Sequence, residues 1–485
     1  MSPSEPGAIV ADASEAAGGP DPAGRRSVWR ELRDAIRGTD ADYTKIPLRR
    51  AVFLLAVPMV LELVLESTFA VVDIFFVAHL GPSAVATVGL TESYLFLLYA
   101  VAIGLAMAVT AVVARRVGEQ RREDAAVAAA QAIWVGVLVS LPVALAGIFY
   151  ARELLALMGA DAWTLEHGYR YAQWMLGGNV VIVLLFVINA IFRGAGDAAI
   201  AMRVLWLSNA LNIALCPLLI FGLGPVPALG IEGAAIATNI GRGVGVAFQL
   251  WVLFRGGRHI RLLGSQLALH GATLWNIVRT SLGGVGQMIV AMTSWIFVMR
   301  ILASIGSEAV AGATIALRVM MFVMMPAWGM SNAAATLVGQ NLGAGQPARA
   351  EASVWRIGWY NMAYLLLVAV LFFALPDRLV GLFSADPEVV ATGASWLRIL
   401  SYSLFVYGWW MVSVQAFNGA GDTATPTKIN LVFFWLIQIP LAWWLALHLG
   451  RQANGVFWAV FVSETGVGLF TLWLFTRGRW KQAEV

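Results

Sequence analysis

Three acidic residues share one stripe of an apolar stretch. Residues 51–79 read AVFLLAVPMVLELVLESTFAVVDIFFVAH and carry Glu62, Glu66 and Asp73. At 100° per residue these positions fall within about 40° of one another around a helix. Carboxylates at membrane depth are costly and ordinarily face an aqueous cavity or a cation. A carboxylate withdrawn from water holds its proton more tightly, and a neighbouring carboxylate adds to the effect. Such a stripe can load and release protons, hand them along a cavity wall, or draw cationic molecules in. Glu66 lies about 10 Å from Asp73 along the axis, and Glu62 one turn beyond it. Glu62 and Glu66 have a second reading, as structural carboxylates paired with an intramembrane arginine. Arg242, Arg300 and Arg318 stand in apolar runs without an obvious partner.

Other chemistries find little support. There is no P-loop, so ATP is not expected as an energy source. The histidines (His79, His167, His259, His270, His448) sit at loop or helix-end positions without metal-ligand spacing. Cys216 is the single cysteine, which excludes an internal disulfide and a cysteine-based metal cluster. The chain reads as a non-enzyme, with no cofactor, no resident metal and no nucleic-acid partner.

The elements that position the stripe follow from composition. Of 485 residues, 60% are hydrophobic and 12% charged, which places the chain in a bilayer. About twelve apolar runs of roughly 20 residues can be counted. They fall near 51–79, 90–114, 125–150, 167–192, 200–222, 231–254, 275–302, 313–338, 354–375, 395–417, 429–447 and 455–476. Arginine and lysine concentrate before the first run, at 115–122, at 255–279 and at the C-terminus, whereas the alternate loops are nearly free of them. By the positive-inside rule both termini are cytoplasmic, in a multi-pass protein of the plasma (inner) membrane. The first 24 residues read as a disordered tail and SVWRELRDAIRG at 27–38 as a short amphipathic or plain polar helix.

The chain also repeats. LGPSAVA at 80–86 returns as IGSEAVA at 305–311, and RGAGD at 193–197 returns as NGAGD at 418–422, both 225 positions later. LFRG at 253–256 matches FTRG at 475–478 at a slightly shorter offset. The fold class is therefore all-α and polytopic: twelve transmembrane helices as two six-helix bundles, related by pseudo-two-fold symmetry along the membrane normal. The expected divisions are a tail (1–46), an N-lobe (47–254), a cytoplasmic linker (255–273), a C-lobe (274–478) and a short C-terminus (479–485). Two bundles flanking a cleft suit alternating access around a central site.

With Pro58 fifteen positions before Asp73, RGAGD at 193–197, NIALCP at 212–217, GAAIATN at 233–239, GQNLGAGQ at 339–346 and NGAGDT at 418–423, the sequence resembles the MATE (multidrug and toxic compound extrusion) family of antiporters. The resemblance covers residues 46–478. It implies a V-shaped cavity and export of organic cations or other amphiphiles against inward H⁺ or Na⁺. The repeat counterparts of Glu62, Glu66 and Asp73 are Gln287, Ala291 and Val298, and residues 395–417 contain no acid, so the C-lobe type of cation site is not expected. The branch resembled keeps its site in the N-lobe, which implies that Asp73, Asn212 and Thr238 face one another. Cys216 stands where that branch has an aspartate, a departure that favours H⁺ over Na⁺ at Asp73, Asn212 and Thr238. Pro58 reads as a hinge answering to Asp73, or as a static kink.

Gln287, Trp410, Met288 and Met292 are candidates for the substrate cavity. Tryptophan offers cation–π contact and methionine an adaptable wall, although interfacial belts and core packing explain the same residues. Small amphiphilic organic molecules and the lipid bilayer are the expected partners, and a monomer the expected state. The alternative function is flipping of a lipid-linked saccharide, for which the acidic stripe is the wrong sign.

Overall fold

The computed structural model describes residues 28–222, 224–256 and 259–483. The tail expected over residues 1–24 lies outside the described residues. The short helix α1 (Val28–Arg37) precedes six rods: α2 (Leu48–Ala78), α3 (Pro82–Gly118), α4 (Arg122–Leu157), α5 (Thr164–Ala195), α6 (Ala198–Phe221) and α7 (Ile231–Arg255). The second bundle comprises α8 (Gly271–Ala303), α9 (Ser307–Gly343), α10 (Pro347–Ala374), the short α11 (Pro376–Gly381), the pair α12 (Pro387–Ser401) and α13 (Leu404–Ala420), α14 (Ala424–His448) and α15 (Gln452–Thr476). Among the described residues nine helices are long and apolar enough to cross a membrane, and the α12–α13 pair adds a tenth span.

The sequence did not announce the bend between α12 and α13, which turns by 63°. Its centre, Ser403, has a counterpart 225 positions earlier in Gly178, where α5 is also interrupted. Both bends are thus a property of the repeat. The repeated G-A-G-D motif has a local explanation. Gly196 and Gly421 adopt left-handed φ of +91° and +95° and close α5 and α13. The amides behind them, Asp197 N and Asp422 N, reach back to Phe192 O (2.8 Å) and Phe417 O (3.0 Å). This is the glycine C-cap that satisfies a helix's last carbonyls. The aspartates diverge: Asp422 accepts from Thr425 N at 3.1 Å and so caps the next helix. Asp197, at the matching position, makes no cap bond and faces His259 Nδ1 at 3.2 Å.

Each bundle has a core of its own, and a third core cluster joins α2 of the first bundle to α9, α10 and α13 of the second on the side that holds both termini. There the helices approach through glycine. A Cβ on Gly104 of α3 would lie 2.3 Å from Val285 N of α8, one on Gly118 2.1 Å from Gln340 O, and one on Gly329 of α9 2.6 Å from Val60 Cα. Gln340 Nε2 donates to Gly194 O (2.9 Å) and Thr336 Oγ1 to Arg193 O (3.1 Å), stitching α9 to the end of α5. The segment before α2 adds to this seam. Tyr43 is buried, its hydroxyl donating to Gly196 O at 3.1 Å while its carbonyl accepts from Arg349 Nη2 at 3.0 Å. Pro58 lies inside α2, which is continuous through it, one residue from the Gly329 contact.

Candidate functional site

The spacing of Glu62, Glu66 and Asp73 puts them on one face of α2, yet they meet different partners. Glu62 is 3% exposed. Its Oε1 stands 2.7 Å from Arg193 Nη1, at the end of α5. Asn189, one turn earlier on α5, donates to the same oxygen at 3.5 Å and accepts from Gln249 Nε2 of α7 at 2.5 Å. Glu66 pairs with Arg242 Nη2 at 3.2 Å, and the guanidinium lies over the Phe69 ring, 5.7 Å from its centroid. Each of these carboxylates is thus neutralised by a base from another helix of its own lobe.

Asp73 is different. Among the described residues it has no ion pair. Its Oδ1 accepts the Cys216 thiol of α6 at 3.7 Å, and Arg242 and Glu92 are within electrostatic reach. Tyr171 of α5 is buried in the same neighbourhood. A thiol is a weak donor, so it satisfies the carboxylate without compensating its charge.

Asn212 and Thr238 were expected as partners of Asp73. They bond to each other instead: Asn212 Nδ2 donates to Thr238 Oγ1 at 3.0 Å, and that hydroxyl donates to Ala234 O at 3.1 Å. Neither hydrogen-bonds Asp73. The reason is register. Asn212 precedes Cys216 by four positions, one turn or about 6 Å along α6, and Cys216 is the residue level with Asp73. The residue that fitted the pattern least is the one in contact.

In the C-lobe, Gln287 is 3% exposed with Oε1 buried and unpartnered. Met288 and Met292 are half-buried on the same helix. Trp410 is half-buried, packed against Tyr407 (ring centroids 4.8 Å apart) and Phe434 (6.3 Å), with a buried Nε1 that lacks a partner. These four lie on α8 and α13 of the second bundle, whereas the Asp73 contact lies between α2 and α6 of the first. Among the described residues no group of three or more His, Cys, Asp or Glu side chains could hold a metal.

Two segments of the chain, residues 58–218 and 285–444, match the MatE family profile, one in each lobe. The chain belongs to the MatE family. Its relatives include proteins named probable multidrug resistance protein NorM. That of Thermotoga maritima is 26% identical over 90% of this chain and 94% of its own length. That of Pseudomonas aeruginosa is 27% identical over 90% of each. A protein of Shewanella oneidensis named FAD transporter is 26% identical over 84% of this chain and 90% of its own. A solved structure described as an outward-facing conformation of a multidrug resistance MATE family transporter superposes with a TM-score of 0.83 at 23% identity, covering 93% of this chain and 98% of that one. A MOP superfamily transporter from Pyrococcus furiosus gives the same TM-score and identity. As a MatE protein the chain is a multi-pass membrane transporter and not an enzyme, with twelve transmembrane helices in two bundles.

The MatE fold also brings in residues that sequence reasoning passed over: Arg193, Asn189, Gln249 and Tyr171. A signal for the first existed. Arg193 in one repeat is Asn418 in the other, and Glu62 is Gln287, each 225 positions on. Acid and base disappear together, as members of a pair would.

Proposed function

We propose that this transporter exports amphiphilic or cationic small molecules in exchange for H⁺, by alternating access in the plasma membrane, with both termini cytoplasmic and the monomer as the working unit. The observation that carries the reading is the division within the acidic stripe. Glu62 and Glu66 are each paired with an arginine, whereas Asp73 has no ion pair among the described residues and stands beside a neutral thiol. A carboxylate in that situation can bind and release a proton without breaking an ion pair. The Cys216 sulfur is a soft atom and a poor ligand for a hard cation. This supports H⁺ over Na⁺ as the coupling ion at Asp73, with Asn212 and Thr238 one turn away as polar lining. The names of the NorM relatives support drugs as substrates. A flippase for lipid-linked saccharides would present free arginines to a pyrophosphate, and Arg193 and Arg242 are already paired.

The test is ethidium efflux from proteoliposomes under one gradient at a time. An imposed ΔpH should drive efflux and a protonophore should abolish it. Efflux driven by a Na⁺ gradient alone, or efflux without either gradient, would overturn the assignment.

A further inference from the structure

The repeat predicts charge pairs, and one position breaks its rule. Arg242 on α7 pairs with Glu66 on α2. Aligned through LFRG and FTRG, its C-lobe counterpart is Glu464 on α15, and the counterpart of Glu66 is Ala291. The C-lobe thus has a carboxylate where the N-lobe has a guanidinium, and an alanine where the N-lobe has the neutralising partner.

Glu464 stands twelve residues from either end of α15, about 18 Å from each by helix rise, at the centre of the span. It is 6% exposed, and among the described residues it has neither a hydrogen bond nor an ion pair. Its surroundings are aromatic and aliphatic. Val467, one turn on, packs with Ile429 and Phe434, and Ala291, Trp410 and Phe433 close over them. Among the described residues the single titratable side chain in electrostatic reach is Tyr407 of α13, 8% exposed and likewise without a hydrogen-bond partner for its hydroxyl. Among the described residues the elements around α15 supply no base to this point: α8 contributes Ala291 and α14 contributes Phe434.

An ionised carboxylate without a counter-charge is not sustained at that depth. Either it carries a proton or it holds a cation from outside. The neighbouring side chains are packed aromatic and aliphatic groups, so the ligand that fits is the smallest one. We propose that Glu464 is a second proton-binding site, in the C-lobe, that exchanges its proton with bulk water. Its occupancy is separate from that of Asp73, which lies in the other lobe and near the opposite side of the membrane from the termini. The inference goes beyond the coupling role given to Asp73 and does not require it.

Infrared difference titration of the full-length protein in lipid vesicles, without substrate, tests this directly through the carbonyl stretch of neutral carboxyl groups. Wild type should show a reversible carboxyl band on changing the bulk pH. Glu464→Gln should lose that band, Glu464→Asp should keep it at a shifted frequency, and Asp73→Asn should retain it unchanged. Identical carboxyl difference spectra for wild type and Glu464→Gln would overturn the proposal. If Glu464→Gln does not fold, the folded Glu464→Asp variant decides: an unshifted band overturns it equally. Because no drug is present, failure of the drug-export reading leaves this result untouched.

Discussion

Arg193 Nη1 lies 2.7 Å from Glu62 Oε1, joining the end of α5 to the middle of α2 on the same face as Asp73. The pair is buried, and Asn189 supports it. Removing one member leaves the other charged and uncompensated, which costs about 3–5 kcal/mol, whereas replacing both by apolar residues is often nearly neutral. Glu62→Met and Arg193→Met should each lower the thermal unfolding midpoint, and the double variant should recover most of the loss. Recovery of stability together with transport would place Glu62 in the scaffold. Recovery of stability without transport would give it a part in the proton path.

Cys216 is the residue in contact with Asp73, and its sulfur is what makes the site unsuited to a hard cation. Cys216→Asp supplies oxygen ligands at that point. Transport by this variant should become responsive to an imposed Na⁺ gradient, in a flux assay in which wild type does not respond. Conversely, Cys216→Ala should retain H⁺-driven transport, because the thiol does not carry the proton.

The lobes touch through glycine. A side chain on Gly104 has no room, with Val285 N only 2.3 Å from the Cβ position. Gly104→Leu should force α3 from α8, and overpacking of this kind costs about 1–3 kcal/mol. Double electron–electron resonance between labels on the termini side of α3 and α8 should report a longer distance than in wild type.

Tyr43 fastens the segment before α2 to the turn after α5 through one hydroxyl. Tyr43→Phe deletes that bond and leaves the ring, at a cost of about 1 kcal/mol. Hydrogen exchange should quicken at residues 194–197 and at 42–46, with the cores of both lobes unchanged.

Much of the fold could be read from the chain because its signals are local. The apolar runs, the basic loops and the 225-residue repeat specify twelve rods in two bundles. The G-A-G-D motif is legible for the same reason, since Gly196 and Gly421 are required where the backbone turns left-handed. The partner choices within the stripe were less accessible. Which of Asn212 and Cys216 faces Asp73 depends on how far α6 slides past α2, a tertiary quantity that no local pattern encodes. Arg193 escaped notice because its acid lies 131 positions away. Its disappearance in the second repeat, together with that of Glu62, was the available clue. The bend at Ser403 had no proline or glycine to mark it, unlike its counterpart Gly178.

The central claim is that Asp73 alone in the stripe carries the coupling proton. Counterflow exchange of substrate across proteoliposomes without a gradient, compared with ΔpH-driven uphill transport, separates binding from coupling. Asp73→Asn should retain exchange and lose uphill transport under ΔpH. Uphill ΔpH-driven transport by Asp73→Asn at the wild-type rate would contradict the account.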